Sequence, residues 1–194
     1  MKNIFFILTL AFLVGCSSHG NLKIINKTEH LLYFSINDIS GTIPANQTNT
    51  ISLYTGKKYI FNSPTKVYSL YLEGETFLMY DGIMPVKNTK ITLMDDKTVK
   101  VYANPTNACL KVKNNTNQPI LDMSYQKIYP DSICEPIILE KEIAPQITWY
   151  KQVPYSSEAD SFDIRFFYMK IPPDTIYTNA LNLKLDQLFL LEVN

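Results

Sequence analysis

Short runs of Ile, Val, Leu, Tyr, Phe and Thr, broken by clusters of Asn, Asp, Gly and Pro, recur along most of this chain, and no stretch sustains a helical apolar period. Apolar and polar residues alternate in Val99-Lys100-Val101, Leu110-Lys111-Val112-Lys113, Ile164-Arg165-Phe166 and Leu183-Lys184-Leu185. A period of two places successive side chains on opposite faces, the mark of strands buried on one side. Turn residues separate the runs at Asp38 to Gly41, Thr55-Gly56, Glu73-Gly74, Asp81-Gly82, Asp95-Asp96 and Pro172-Pro173-Asp174. Strands punctuated about every 8 to 12 residues predict an all-β chain of antiparallel sandwiches or barrels.

An internal repeat narrows the architecture. Leu22-Lys23-Ile24-Ile25-Asn26-Lys27-Thr28 returns as Leu110-Lys111-Val112-Lys113-Asn114-Asn115-Thr116, and each copy leads into another strand-like segment, 30–36 and 119–125. The ends of the copies, 91–104 and 181–194, match in character as well. Two tandem domains are therefore expected, 22–104 and 109–194, joined at Asn104-Pro105-Thr106-Asn107, where Pro105 holds the preceding residue extended. A strand ending in Asn-x-Thr, a second strand, then Ile with Pro close by (Ile43-Pro44; Ile143-Ala144-Pro145) resembles the broad group of immunoglobulin-like and transthyretin-like sandwiches. One large sandwich is the alternative.

The N-terminus carries an address. Lys2 precedes an apolar run from Ile4 to Val14, then Gly15 and Cys16. The run is shorter than the roughly 20 residues a helix needs to cross a bilayer, so residues 1–15 read as a signal peptide. Leu13-Val14-Gly15-Cys16 resembles the lipobox of bacterial lipoproteins. That resemblance implies a diacylglyceryl group on the Cys16 sulfur, cleavage before Cys16, and a mature chain anchored by covalent lipid. Ser17 stands where Asp would signal inner-membrane retention, which points to the outer membrane. Residues 16–21 then read as a polar, lipidated tether, with His19 a solvated linker residue.

Composition argues against most chemistry. Eighteen basic residues balance eighteen acidic ones, so there is no basic stripe for nucleic acid. Of three Cys, Cys16 belongs to the anchor, and an exported chain meets an oxidising compartment, so Cys109 and Cys134 read as a disulfide worth roughly 3 kcal/mol. His19 and His30 are the two histidines, too few for a zinc cluster or a His-centred triad, and His30 reads as a polar strand-start residue. All six Gly precede position 83, which excludes a phosphate-binding glycine loop in the second half. Glu158, Asp160 and Asp163 lie in a loop-like stretch without the glycine a calcium loop uses, and read as a solvated acidic loop. No metal or cofactor is expected.

Trp149, Tyr150 and Tyr155 flank Lys151-Gln152-Val153-Pro154, with Tyr125 and Tyr129 nearby in the chain. Loop aromatics offer a large apolar face with a polar edge, so these three are candidate ligand contacts, although a lone Trp in a sandwich is more often core. The expected role is a non-enzymatic, membrane-anchored component of the cell envelope that binds another envelope protein, in a secretion or surface assembly for example. A glycan- or small-ligand-binding lipoprotein is the alternative.

Overall fold

The computed structural model describes residues 16–59, 62–170 and 174–194. The signal-peptide reading of residues 1–15, including Leu13-Val14-Gly15, and the Pro172-Pro173 turn lie outside the described residues. Those described are all-β, without helix. The first nine strands are β1 (Cys16–Asn26), β2 (Leu32–Ile36), β3 (Ile39–Ile43), β4 (Thr48–Lys58), β5 (Thr65–Gly74), β6 (Met79–Asp81), β7 (Met84–Val86), β8 (Asn88–Met94) and β9 (Thr98–Ala103). They are followed by β10 (Ala108–Asn114), β11 (Ile120–Ile128), β12 (Ile137–Ile143), β13 (Thr148–Val153), β14 (Asp163–Lys170), β15 (Asp174–Tyr177) and β16 (Leu188–Val193).

The chain divides into two compact units, residues 16–73 with Met79–Asn104, and Pro105–Asn194 with Gly74–Leu78. In the first, a three-stranded sheet of order β4-β1-β9 accompanies a four-stranded sheet of order β3-β2-β5-β8, and β6-β7 is a small hairpin inserted between β5 and β8. The second repeats this order strand for strand, β13-β10-β16 and β12-β11-β14-β15. The pairing is not wholly antiparallel as the alternation suggested: β1 runs parallel to β9, and β10 to β16. Parallel neighbours need a long crossover, and here the intervening strands of the unit provide it.

The period of two sets the core. Leu22 and Ile24 of β1 are wholly buried, as are Leu110 and Val112 of β10, while Lys23 and Lys111 alternate with them on the opposite face. The second core also takes Ile120, Met123, Ile164 and Phe166 from the four-stranded sheet, with Phe166 stacked on Phe189 at 5.9 Å between ring centroids.

The repeated Asn-x-Thr is the corner that ends the first strand of each unit. The Asn26 side chain is completely buried and its amide donates to the carbonyls of His30 (2.7 Å), Ile43 (3.1 Å) and Pro44 (3.0 Å). Its carbonyl oxygen accepts from the Thr28 N–H at 3.0 Å, and the Thr28 hydroxyl accepts from the His30 N–H at 3.2 Å. Asn114 donates likewise to Gln118 (2.8 Å), Ile143 (3.2 Å) and Ala144 (3.1 Å), and accepts from Thr116 N–H at 3.1 Å. The turn after the third strand reaches positive φ in both units, at Asn46 (57°) and Gln146 (60°), and the turn before the last strand does so at Asp96 (55°) and Asp186 (64°). The two copies thus share the polar connections that close the loops as well as their apolar pattern.

The pentapeptide Gly74–Leu78 is part of the second unit. The Glu75 carboxylate, 4% exposed, pairs with Lys111 at 2.7 Å. Thr76 accepts the N–H groups of Thr106 and Asn107 at its carbonyl, both at 3.0 Å. Glu75→Ala is expected to lower the stability of the second unit by about 2 kcal/mol, below the range for severing a fully buried pair because Lys111 keeps some solvent. Urea unfolding followed by Trp149, the protein's single tryptophan, which lies in that unit, reads this directly.

Candidate functional site

The segment expected to be a tether is a strand. Residues 16–21 form the first half of β1 and run antiparallel to β4, with Cys16 opposite Lys58 and Ser17 opposite Lys57. Tertiary contacts override the polar sequence Ser17-Ser18-His19-Gly20-Asn21 here. Ser18 is 3% exposed, donates its hydroxyl to the Asp95 carboxylate and lies 2.7 Å from the Thr55 hydroxyl. Asp95 is also paired with Lys58 at 2.5 Å, and Lys58 reaches Asp96 at 2.9 Å. The hydrogen bonds from Lys58 and Ser18 hold the Asp95 carboxyl below the ordinary range, and those to Asp95 and Asp96 raise the Lys58 ammonium above its own. The His19 carbonyl accepts the Asp96 N–H at 3.0 Å. Gly20 is a glycine for want of space, since a Cβ there would lie 2.5 Å from the Met94 carbonyl oxygen. His19 is exposed, its ring edge-on to Tyr54 at 5.8 Å. Cys16, the expected lipidation residue, is the exposed first residue of this pinned strand.

Cys109 and Cys134 are free thiols, so the expected disulfide is absent. The pleat is the reason. Ala108, Leu110 and Val112 point into the core, which turns Cys109 to the opposite face of β10 with Lys111. Cys134 follows β11 in the other sheet, its N–H bonded to the Lys127 carbonyl at 3.0 Å. A disulfide needs Cβ atoms about 4 Å apart, and thiols on opposite sides of a sheet do not meet that condition. Burial first, and the charge of Glu75 next, push the Cys109 thiol up to about 12. In a Cys16→Ser background, alkylation at pH 8 is expected to mark half-exposed Cys134 readily and Cys109 on the order of a thousandfold more slowly, until denaturant is added. Peptide mass spectrometry separates the two.

The three candidate contact aromatics do not share a surface. Trp149 and Tyr150 are consecutive in β13 and face opposite sides of its sheet. Trp149 packs against the core, while Tyr150 sits opposite Lys111 on the outer face. Tyr155, beyond the end of β13, packs partly against the core and lines a groove of about 320 Å³ with Lys127, Asp160, Phe162, Thr106 and Asn107. Within it the Lys127 ammonium lies 4.1 Å from the Phe162 ring centroid and 3.9 Å from the Asp160 carboxylate. Tyr129 packs on Phe162 at 5.6 Å, and its phenol is raised above the ordinary range by burial and by its hydrogen bond to Asp160. Sequence reading missed Lys127 and Phe162 because they sit on different segments, β11 and the loop before β14. Tyr125 is a core residue.

The remaining candidates have structural surroundings. His30 gives its backbone to the Asn26 corner. Asp163 accepts from Asn182 at 2.9 Å, and Asp160 faces Lys127. Among the described residues, no group of three His, Cys, Asp or Glu could hold a metal ion. No helix among them is long and apolar enough to cross a membrane.

No protein-family model matches the chain, and no curated protein matches it. Among solved structures it is similar to the TIE protein of Bacillus anthracis, at 12% identity and a TM-score of 0.30. That alignment covers 91% of this chain and 34% of the other, so the chain spans about a third of that protein's length. It is also similar to the major pilin of Streptococcus pyogenes at 8% identity and TM-score 0.20, covering 93% of this chain and 98% of that one. A single-site variant of the pilin gives 9% and 0.23, covering 92% and 98%. The all-β, two-unit fold rests on the strands described above.

Proposed function

We propose that this protein is a bacterial envelope lipoprotein, held by covalent lipid on Cys16, whose paired sandwiches bind another envelope protein without catalysing a reaction. The observation that carries the anchor is Cys16 itself, exposed at the first residue of β1 and directly preceded in sequence by Leu13-Val14-Gly15. Serine at position 17 favours the outer membrane as its site. The anchor is tested by the mass of the N-terminal peptide from native membranes. Diacylglyceryl on Cys16 supports the reading, and an unmodified thiol or a chain still carrying residues 1–15 overturns it. The partner is tested by crosslinking in intact cells, comparing the native protein with Cys16→Ser. A defined partner that depends on the anchor supports a scaffolding role.

A second reading, a glycan- or small-ligand-binding lipoprotein, is favoured by the groove at Tyr155, Phe162, Lys127 and Asp160. Its volume lies at the low end for small-ligand sites, and it combines aromatic faces with a positioned cation and carboxylate. Calorimetric titration with a glycan panel tests it. Binding lost on Tyr155→Ala and weakened on Asp160→Asn supports this reading; a panel without heat removes it. Trp149 emission is a poor probe here, because the indole packs on the core and does not line the groove.

A further inference from the structure

Residues 16–21, expected to be a polar tether, are instead the first half of β1. We propose that lipidated Cys16 seats the first unit directly on the phospholipid headgroups, with Lys57, Lys58 and Tyr59 in the headgroup layer and the first half of β1 as a fixed post. This inference rests on the lipid-anchor reading given above.

The geometry follows from lengths. A headgroup layer is about 5–7 Å thick on each side of the hydrocarbon core. A strand rises about 3.3 Å per residue, and its ladder partner lies about 4.8 Å away. Acyl chains on the Cys16 sulfur enter the hydrocarbon, so Cys16 lies at the headgroup boundary. Its partner Lys58, the next pair Ser17 and Lys57, and the following Tyr59 then fall within or beside the headgroup layer for as long as the ladder holds.

The ladder is secured on several sides. Pairing with β4 starts at Cys16 itself and continues to Ile25, with one irregularity between Ser18 and His19. The Ser18 hydroxyl is tied to buried Asp95, the His19 carbonyl to the Asp96 N–H, and the Asn21 N–H to the Lys97 carbonyl at 2.8 Å. Gly20 lies flat against the end of β8. Peeling residues 16–20 away to make a tether would break the ladder to β4 and the Ser18 and His19 bonds, and would leave Asp95 with Lys58 as its remaining charged partner.

The side chains at this end suit an interface between water and lipid. Lys57 is exposed and can reach phosphate, whereas the Lys58 ammonium is held by the Asp95 and Asp96 carboxylates and places its stem at this end. Tyr59 and Tyr54 are each about two-fifths exposed, and a phenol ring with a polar tip is at home among headgroups. Lys66 lies over the Tyr54 ring at 5.7 Å and adds a third cation beside it.

The experiment uses the full lipidated protein in vesicles of phosphatidylethanolamine and phosphatidylglycerol, with and without brominated acyl chains. Tyr59→Trp adds an indole beside the anchor, and the unsubstituted protein, whose emission comes from Trp149 alone, is subtracted. The added emission is expected to fall by roughly half or more in brominated vesicles. Ser18→Ala combined with Asp95→Asn is expected to restore most of it by loosening the post. Hydrogen exchange of the unsubstituted lipidated protein needs no variant, and residues 18–21 are expected to be protected. A lipidated protein whose added indole is unquenched, or whose residues 18–21 exchange as freely as an unfolded chain, overturns this inference alone. An unmodified Cys16 overturns it together with the anchor reading.

Discussion

Cys16→Ser is expected to move the protein almost completely from the membrane pellet to the soluble fraction, and from the detergent phase to the aqueous phase on cloud-point partition. The size of the change follows from chain-burial energetics. Each buried methylene contributes about 0.8 kcal/mol, a single acyl chain gives only reversible attachment, and two or three chains hold a protein firmly. No helix among the described residues is long and apolar enough to cross a membrane. The substitution swaps an exposed sulfur for oxygen at the end of a strand, so the fold is expected to survive, with unchanged far-ultraviolet circular dichroism. A Cys16→Ser protein that stays in the pellet through a high-salt wash would show that something other than the sulfur-linked lipid holds it there.

The second large effect is expected at the Asn corners. Asn114→Ala removes an amide whose two N–H groups are shared among three carbonyls, and an acceptor, at a side chain that is 1% exposed, leaving the carbonyls of Gln118, Ile143 and Ala144 and the Thr116 N–H short of partners. An unsatisfied buried group costs about 1–3 kcal/mol, and partial access of water to the loop carbonyls offsets some of it, so a loss of about 3–4 kcal/mol is expected. Asn114→Asp is expected to cost at least as much, because it keeps the acceptor and replaces the donating amide with a buried charge facing carbonyl oxygens. Asn26→Ala makes the same cut in the first unit. Trp149 emission follows the second unit and circular dichroism the whole chain, so the pair of variants also measures coupling between units. Asn26→Ala leaves the Trp149 transition in place if the units unfold separately and shifts it if they unfold together. A loss below about 1 kcal/mol for Asn114→Ala would mean that the corner is solvated and does not hold the strand ends.

The second unit also bears on how such measurements are designed. Gly74–Leu78 belongs to it although the chain reaches this segment within the first half. A fragment of residues 109–194 lacks Glu75, the partner of Lys111, and both sides of the Thr76 bonds to Thr106 and Asn107. Stability is therefore best read on the full chain.

What a strand shows on its two faces was legible residue by residue. Leu110 and Val112, and Ile164 and Phe166, are buried as their alternation requires, because the pleat is a local property. Val99 and Val101 are only half-buried, and Leu183-Lys184-Leu185 lies ahead of β16 in loop and turn, with Leu185 exposed, because alternation alone does not show whether a segment finds a partner strand. The repeated Asn-x-Thr was visible too, though only the structure shows why both residues are there. The amide binds carbonyls at Ile43 or Ile143, far along the chain, and spacing alone does not reveal an acceptor.

Pairing and direction were decided by the tertiary structure. Ser17 to Asn21 look like a tether because they are small and polar, yet they are strand because β4 and the Ser18–Asp95 bond hold them there. Cys109 and Cys134 look like a disulfide in an exported chain, yet the pleat turns one away from the sheet that leads to the other. Trp149 and Tyr150 look like one aromatic patch because they are adjacent, and adjacency in a strand puts them on opposite faces. The amino-acid sequence by itself determined the all-β class, the repeat and the cysteine that follows the apolar run of residues 4–14, all of which rest on local period or local motif. Strand order, the parallel first-to-last pairing, the fixed start of β1 and the Lys127–Phe162 groove depend on residues tens of positions apart, whose meeting is settled only when apolar faces from the whole unit are buried together.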